Sequence, residues 1–216
     1  MKKLILIVAF IAAVWSPADA QNPFLQKRYK TPYEIPPFEV FTINDYREGM
    51  YKGMELEKAE IQAIVDNPEE PSFDNVIAAL DKSGKLLGKV RSVWGALNSA
   101  SSTPELQAFA REMNPVTAAH SNEMRMNKKL FEKVKYVYDH REKYNLNKEQ
   151  MRLLQKTYDG YVNGGALLDD DKRAEIAKIN LELSDLQLKF SQNLLHDTNN
   201  TYVTVDNVKE IGRAHV

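Results

Sequence analysis

Cysteine is absent from this chain of 216 residues. The absence excludes a disulfide framework, a cysteine nucleophile and a lipid-anchored cysteine. An excess of charge of either sign is also missing, because 29 Lys and Arg residues stand against 30 Asp and Glu residues and the net charge is −1. That balance argues against a nucleic-acid partner, which would need a basic face, and against a polybasic membrane patch.

Long hydrophobic runs are scarce as well. Leu4 to Trp15 is an unbroken apolar run, but its 12 residues are too few to span a bilayer as a helix. A basic Met1-Lys2-Lys3 precedes the run and a small-residue Ala18-Asp19-Ala20 follows it. This order is typical of a secretory signal peptide, the alternative being a buried N-terminal helix. We predict that residues 1–20 are removed, that the mature chain starts at Gln21, and that it is exported to the periplasm without remaining in a membrane.

Catalytic signatures are also missing. A zinc hydrolase commonly carries His-Glu-x-x-His, which places two imidazoles one helical turn apart, and the chain has no such motif. No Gly-x-Ser-x-Gly elbow occurs either. A distant trio of histidines could still converge in space, although no histidine lies three to five residues from another; they are His120, His140, His196 and His215. The residues alone therefore predict no catalytic, cofactor-binding or metal-binding position.

Three weaker motifs have structural alternatives. Gly164-Gly165 could cradle an anion, but no phosphate-loop lysine follows, and helix termination is favoured. Asp169-Asp170-Asp171 could bind a cation, but it lacks the spaced oxygens of a calcium loop, and an acidic helix start explains it better. Asn199-Asn200-Thr201 matches a glycosylation acceptor, which means little in a bacterial-looking chain.

Residues 21–41 contain four of the nine prolines, at positions 23, 32, 36 and 37. Proline restricts φ and favours extended neighbours, which predicts an extended arm. We expect the arm to pack Phe24, Tyr33, Ile35 and Phe38 on the body. A disordered linker is the alternative, and the aromatic content argues against it.

From Thr42 onward the apolar spacing is helical. Thr42 and Asp45 resemble a capping box. Further N-caps are predicted at Ser72, Thr103, Asn127, Asn147 and near Asp169, and helix ends at Asn67-Pro68 and Gly164-Gly165. The inward stripes begin with Tyr46, Met50, Met54, Ile61 and Ile64, and continue with Leu106, Phe109 and Met113, with Leu130, Phe131, Val134 and Val137, and with Met151, Leu154, Tyr158 and Tyr161.

Three further features carry specific predictions. One helix of about 27 residues should start at Phe73, with a stripe from Phe73 to Leu97 that is interrupted at Ser83-Gly84. Pro115 should kink or break its helix. The last helix has the stripe Ile176, Ile179, Leu183, Leu186, Phe190 and Leu194, and β-branched alternation over Thr201 to Val205 indicates one short strand. The predicted fold class is all-α: long antiparallel helices over residues 42–210, an extended N-terminal arm and one short strand near the C-terminus.

Several stretches resemble the dipeptidyl-carboxypeptidase branch of the thimet-oligopeptidase-like zinc peptidases. Asn22-Pro23-Phe24-Leu25 resembles the start of mature bacterial peptidyl-dipeptidases, and Asn67-Pro68 with Pro71 to Val76 resembles their "NP…PTFDNT" segment. Further matches are Pro36-Pro37-Phe38, Leu80 to Gly84, Glu112 to Pro115, Leu130-Phe131, Gln150 to Leu154, Ile179 to Leu183 and Phe190 to Asn193. No single piece is decisive, but their order and spacing over residues 22–210 make the resemblance fairly specific.

The resemblance implies a much longer parent protein, almost wholly helical, with two lobes around a deep channel. In such enzymes zinc is held by His-Glu-x-x-His and a glutamate on a later helix, all beyond this chain. The metal polarises the scissile carbonyl and activates water, and the motif glutamate takes the proton. The substrates are oligopeptides, from whose free C-terminus dipeptides are released. The N-terminal helices form part of the channel wall. No catalytic residue can be carried over to this chain, and the fragment alone is expected to bind no zinc and to be inactive.

The last six residues, 211–216, depart from the family's pattern. The codons ATC GGA AGA GCA CAC GTC would encode them, and with a preceding AG this is the start of a common sequencing-library adapter. We hypothesise that residues 211–216 are not native, which removes His215 as a candidate ligand.

Two hypotheses follow from the sequence. If the chain is a fragment of an exported zinc peptidyl-dipeptidase, it should expose apolar stripes meant for absent helices and be poorly soluble. If it is a stand-alone periplasmic helical module that binds peptides or a protein partner, it should be a stable monomer with a cooperative thermal transition.

Overall fold

The computed structural model describes residues 22–202 and residue 204. Within that part of the chain every regular element is a helix, which confirms the all-α prediction. The predicted signal peptide (1–20), the mature start at Gln21 and the tail (211–216) lie outside the described residues and stay predictions, and the antiparallel order of successive helices also stays a prediction. No helix of the described part has the length and apolar content needed to cross a bilayer.

The α-helices are joined by short turns. In chain order they are α1 (Ile43–Asp66), α2 (Ala79–Lys82), α3 (Lys85–Ala100), α4 (Pro104–Arg125), α5 (Lys128–Asp139), α6 (Lys148–Asn163) and α7 (Asp170–Asn200). The capping box at Thr42 is confirmed, because its hydroxyl accepts from Asp45 N at 3.2 Å while the Asp45 carboxylate accepts from Thr42 N at 2.8 Å. The other predicted N-caps are confirmed too, at Ser72, Thr103, Asn127, Asn147 and Asp169.

The prediction of one continuous helix after Ser72 is wrong. A π-helical segment (Phe73–Ala78) runs into α2, and the chain then breaks at Ser83-Gly84 before α3 begins. Gly84 has φ +65°, which is the left-handed conformation that glycine adopts at little cost. The interruption in the hydrophobic stripe therefore marks a real turn.

This break divides the stripe between two hydrophobic cores. Phe73, Val76 and Ile77, which precede the break, join the α5–α6 core, whose other buried members are Ile61, Ile64, Leu130, Phe131, Val134, Val137, Leu154 and Tyr161. Leu87, Val90 and Val93, which follow the break, join the α1–α3 core, whose other buried members are Phe24, Tyr46, Met50, Met54, Phe109 and Met113. Helix α1 supplies residues to both cores, so it is the element that connects them.

Close approach of α1 and α3 depends on two glycines of α1. A Cβ built on Gly53 would lie 2.7 Å from the backbone N and Cα of Leu87, and one on Gly49 would lie 2.9 Å from Val90 Cγ2. At Gly53 the neighbour is backbone, so this position requires glycine. At Gly49 the neighbour is a side chain, and Val90 would have to shift to make room for a Cβ.

The N-terminal arm is only partly as predicted. It contains two short 3-10 helices, Pro23–Leu25 and Pro32–Glu34. Phe24 is buried and stacks on Phe41 at 4.3 Å between ring centroids, and Phe38 also packs against the α1–α3 core. Tyr33 and Ile35 do not pack on the body, since they are 96% and 54% exposed. The hydrophobic anchor of the arm is therefore Phe24.

Pro115 does not break its helix, because α4 continues from Pro104 to Arg125. A proline inside a helix removes one backbone hydrogen bond. Met113 is buried and Val116 packs against the same α1–α3 core, so apolar contacts hold both sides of the proline. The apolar contacts of α4 therefore offset the free-energy cost of a proline inside the helix.

Helix α7 lies against α4 through polar contacts. Asn122 Nδ2 donates to Ala177 O at 3.1 Å, and Ser184 Oγ donates to Asn114 Oδ1 at 2.9 Å. The apolar stripe of α7 is largely exposed: Ile176 is half-buried, but Ile179, Leu183, Leu186, Phe190 and Leu194 are 49–69% exposed. An exposed stripe is what the fragment hypothesis predicted.

The predicted strand over Thr201 to Val205 is not present at its described residues, Thr201, Tyr202 and Thr204. Thr201 N instead donates to Asp197 O at 2.8 Å and ends α7. A single strand would also lack a partner for its backbone groups. Val203 and Val205 lie outside the described residues.

Candidate functional site

A large cavity of the described chain lies between the two cores. It has a volume of about 670 Å³ and is lined by α1, the α2–α3 turn, α3, α4 and α6. Helix α1 passes along it between Met54, in one core, and Ile61, in the other. Helix α1 contributes Glu57 and Ile61 to the lining.

Glu57 forms a buried pair with His120 of α4. His120 Nε2 lies 2.6 Å from Glu57 Oε2, and the two side chains are 5% and 22% exposed. A carboxylate can only accept, so Nε2 must carry the proton of this hydrogen bond. The pair joins α1 to α4 across the cavity wall.

The other ring nitrogen of His120 is unusual. Nδ1 is buried and has no hydrogen-bond partner among the described residues. Buried polar atoms are nearly always paired, so an unpaired one at a cavity wall suggests a water or ligand contact. His120 and Glu57 do not belong to a larger set of metal ligands, since no group of three His, Asp or Glu side chains in the described chain could hold an ion.

Cations dominate the remaining wall. Arg91, Arg125 and Lys156 line the cavity, and Glu57 is its one acidic lining residue. None of the three cations forms an ion pair with a described residue. Since Glu57 is already hydrogen-bonded to His120, the cavity has a surplus of positive charge.

Tyr161 of α6 closes the side of the cavity that meets the α5–α6 core. Burial raises the pKa of its hydroxyl, and Glu57 adds to that rise, while the Arg125 guanidinium lowers it. Tyr161 therefore stays a neutral phenol at physiological pH and can serve as a hydrogen-bond donor.

The weaker sequence motifs have the structural roles that the sequence favoured. Gly164 caps the end of α6, and Gly165 has φ +90° directly after it. Asp169 accepts from Lys172 N at 2.9 Å, and this backbone hydrogen bond, with the Lys172 side chain, lowers the pKa of its carboxyl. Both motifs are helix termini.

The three histidines of the described chain, His120, His140 and His196, do not form a trio. His120 pairs with Glu57, whereas His140 Nδ1 contacts Tyr136 O at 2.8 Å in its own helix. His196 contacts Asn200 one turn later in α7. His215 lies outside the described residues.

Sequence reasoning missed the cavity and its charged residues. Glu57 and His120 are 63 positions apart, and no local motif links them. A weak signal existed, because Glu57 follows Met54 by three residues and precedes Ile61 by four, which is core spacing. A charged residue at a buried stripe position indicates a buried partner.

Comparisons with known proteins identify the relatives of the chain. No protein-family model matches it. The chain is 33% identical to the dipeptidyl carboxypeptidase of Escherichia coli over 88% of its own length and 28% of that protein. It is 34% identical to the dipeptidyl carboxypeptidase of Salmonella typhimurium over 81% of its length and 25% of that protein. A probable cytosolic oligopeptidase A of Arabidopsis thaliana is 28% identical over 89% of the chain and 26% of that protein.

These matches confirm the resemblance proposed from the sequence and set its extent. The chain spans only about a quarter of the length of the curated relatives that it matches. By sequence, the chain is a homologue of the dipeptidyl carboxypeptidases over most of its own length, and the oligopeptidases are more distant relatives.

Proposed function

We propose that this chain is the N-terminal, channel-wall portion of an exported zinc metallopeptidase that releases dipeptides from the C-terminus of oligopeptides. The relatives are named as peptidases, and the chain covers only a quarter of their length. The observation that carries the proposal is the apolar stripe of α7, of which five residues are 49–69% exposed. Later residues of a longer polypeptide would cover this stripe.

The residues of the described chain do not fit a zinc site. Its histidines have separate partners, and it has no suitable group of three ligands. In our proposal the zinc ligands therefore belong to later residues of the parent, and no catalytic step is assigned to this chain. The chain alone would then be inactive. In the parent it would form part of the channel wall along which a peptide lies and supply charged residues to that wall.

Export and the native end of the sequence are part of the same proposal. Residues 1–20 would direct the parent to the periplasm, and residues 211–216 would be replaced by native sequence. The DNA downstream of the Glu210 codon tests this directly. An open frame of several hundred codons that contains a His-Glu-x-x-His helix is expected. A stop codon directly after Val216 in genomic DNA would contradict the proposal.

The activity needs its own test. The full-length parent should release dipeptides from an oligopeptide with a free C-terminus, and it should lose this activity on chelation and regain it with zinc. The 216-residue chain should show none. If the full-length protein cleaved only within long peptides, the dipeptide-releasing part of the proposal would be wrong.

A second candidate is a stand-alone periplasmic module that binds peptides or a protein partner. The large cationic cavity favours it, because such a cavity could hold a ligand without any catalytic group. The two candidates differ in solution behaviour. The stand-alone module should be a stable monomer that unfolds in one cooperative thermal transition, whereas the fragment should be poorly soluble because its exposed stripe lacks its partner.

A further inference from the structure

A second cavity continues the cationic cavity along α4. It has a volume of about 350 Å³ and lies between α4 and α7. The two cavities share three lining residues, Arg91, Ser121 and Arg125. The two cavities therefore meet at these residues, and together they form a trough whose lining extends from α6 to α7.

The helical register explains the trough. Asn114, Thr117, Ser121 and Arg125 follow one another along α4 at intervals of three or four residues, so they lie on one face. On α3, Gly88 leaves open space beside Arg91, since a Cβ at Gly88 would have no neighbour within 4 Å. The face of α4 is thus exposed to the trough rather than covered by α3.

The charges of the trough are unbalanced. Its lining has three cations, Arg91, Arg125 and Lys156, and one carboxylate, that of Glu57, which already accepts from His120. Neither guanidinium has an ion pair among the described residues. Guanidinium groups bind carboxylates through two parallel hydrogen bonds. His120 Nδ1, which is buried without a partner, lies in the same wall.

We propose that this trough binds a carboxylate-bearing peptide, with the carboxylate held between Arg91 and Arg125. The neutral lining suits the peptide backbone, because hydroxyl and amide groups from Ser121, Asn180 and Ser184 can pair with its N–H and C=O groups. The proposal rests on the proposed peptidase function only for the choice of a peptide as the ligand. The carboxylate is either the free C-terminus or an Asp or Glu side chain of the peptide.

Equilibrium binding with the metal chelated tests the trough without requiring catalysis. The full-length parent is titrated into three fluorescein-labelled peptides of equal length, followed by fluorescence anisotropy. The first has a free C-terminus and neutral side chains, the second is amidated and neutral, and the third is amidated with one internal Asp. We expect the second peptide to bind about tenfold more weakly than the first peptide, the third peptide or both. Tighter binding of the first peptide identifies the C-terminus as the source of the carboxylate, and tighter binding of the third identifies the Asp side chain.

Variants then locate the binding. The double variant Arg91→Gln/Arg125→Gln should weaken binding of the carboxylate peptides about tenfold and abolish their advantage over the neutral peptide. Gly88→Leu, which fills the trough from α3, should weaken binding of all three peptides. Arg152→Gln is the matched control, because Arg152 is exposed on α6 and lines neither cavity. Circular dichroism and thermal unfolding confirm that each variant is folded.

The proposal is overturned if the neutral peptide binds as tightly as both carboxylate peptides, or if the double variant binds like Arg152→Gln. Dipeptide release by the same preparations with zinc restored reports on the proposed peptidase activity separately. If the peptides bind but no dipeptide is released, the proposed activity is rejected and the proposed binding in the trough is kept. If dipeptides are released and the arginine substitutions change nothing, the proposed activity is kept and the proposed binding in the trough is rejected.

Discussion

Helices α5 and α7 have the same kind of apolar stripe and opposite surroundings. On α5 the stripe residues Leu130, Phe131, Val134 and Val137 are 0–7% exposed. On α7 five of the six stripe residues are 49–69% exposed, and the helix is held instead by polar contacts to α4. The pattern of the sequence is similar in both helices, but only α5 has a hydrophobic partner among the described residues.

The comparison separates two things that a hydrophobic period can mean. A stripe identifies the face of a helix that avoids water, but it does not identify what covers that face. For α5 the partner is the core formed with α1, the π-helical segment and α6. For α7 a contiguous exposed apolar face is typical of an interaction surface, and the short coverage of the relatives suggests that later residues of the parent provide the partner.

The largest expected effect is on the free energy of unfolding when one leucine of each stripe is replaced by alanine. Leu130→Ala should lower the free energy of unfolding of the chain by about 2–5 kcal/mol, because it opens a cavity in a fully buried site. Leu183→Ala on α7 should change it by less than about 0.5 kcal/mol, because the side chain is 49% exposed. Urea unfolding of the two variants measures the difference. Equal costs would mean that the stripe of α7 is already buried in solution, by a second copy for example.

The second effect is on the close packing of α1 against α3, two helices that line one side of the trough. Gly53→Ala should destabilise the chain by about 1–3 kcal/mol, because its methyl group would meet the Leu87 backbone at 2.7 Å. Gly95→Ala on α3 is the matched control. A Cβ there has no neighbour within 4 Å, so better helix propensity should stabilise the chain by about 0.5–1 kcal/mol. Thermal unfolding measures whether each substitution destabilises or stabilises the chain. If Gly53→Ala left the stability unchanged, α1 and α3 could move apart at no cost.

The smallest effect is at the start of α7, where polar contacts act without a core. The pKa of Asp169 is lowered by its hydrogen bond to the Lys172 backbone N–H and by the Lys172 side chain. A carboxyl with a lowered folded pKa contributes stability above its unfolded value of 3.8, and this contribution is lost as the pH falls through the folded pKa.

Asp169→Asn keeps the cap but removes this charge. The wild-type chain should therefore be the more stable at pH 7, and the difference should shrink as the pH falls below about 4. Urea unfolding at a series of pH values measures it. A difference that stayed constant down to pH 2 would mean that the charge of Asp169 does not act on α7.

Much of the fold could be predicted from the sequence, because its signals are local. A cap needs one side chain and the backbone three residues later, so Thr42, Thr103 and Asn147 could be identified without tertiary information. The break at Gly84 was visible as a gap in the stripe but was interpreted as part of one long helix. The tolerance of Pro115 and the exposure of Tyr33 depend on contacts with other elements, which the local pattern does not contain.

The candidate site was less accessible to sequence reasoning. Arg91, Arg125 and Lys156 lie on three different helices, and they become neighbours only when the two cores form on either side of them. The pairing of Glu57 with His120 likewise depends on the approach of α1 and α4. Surface charges of this kind have no spacing rule, so the sequence alone assigned them no role.

The central claim is that later residues of a longer peptidase cover the stripe of α7. Amide hydrogen exchange of α7, compared between the 216-residue chain and the full-length parent, tests it most directly. The account predicts that amides of residues 179–194 exchange rapidly in the chain alone and become strongly protected in the parent, while those of α5 are protected in both. Equal exchange of residues 179–194 in the two proteins would contradict it.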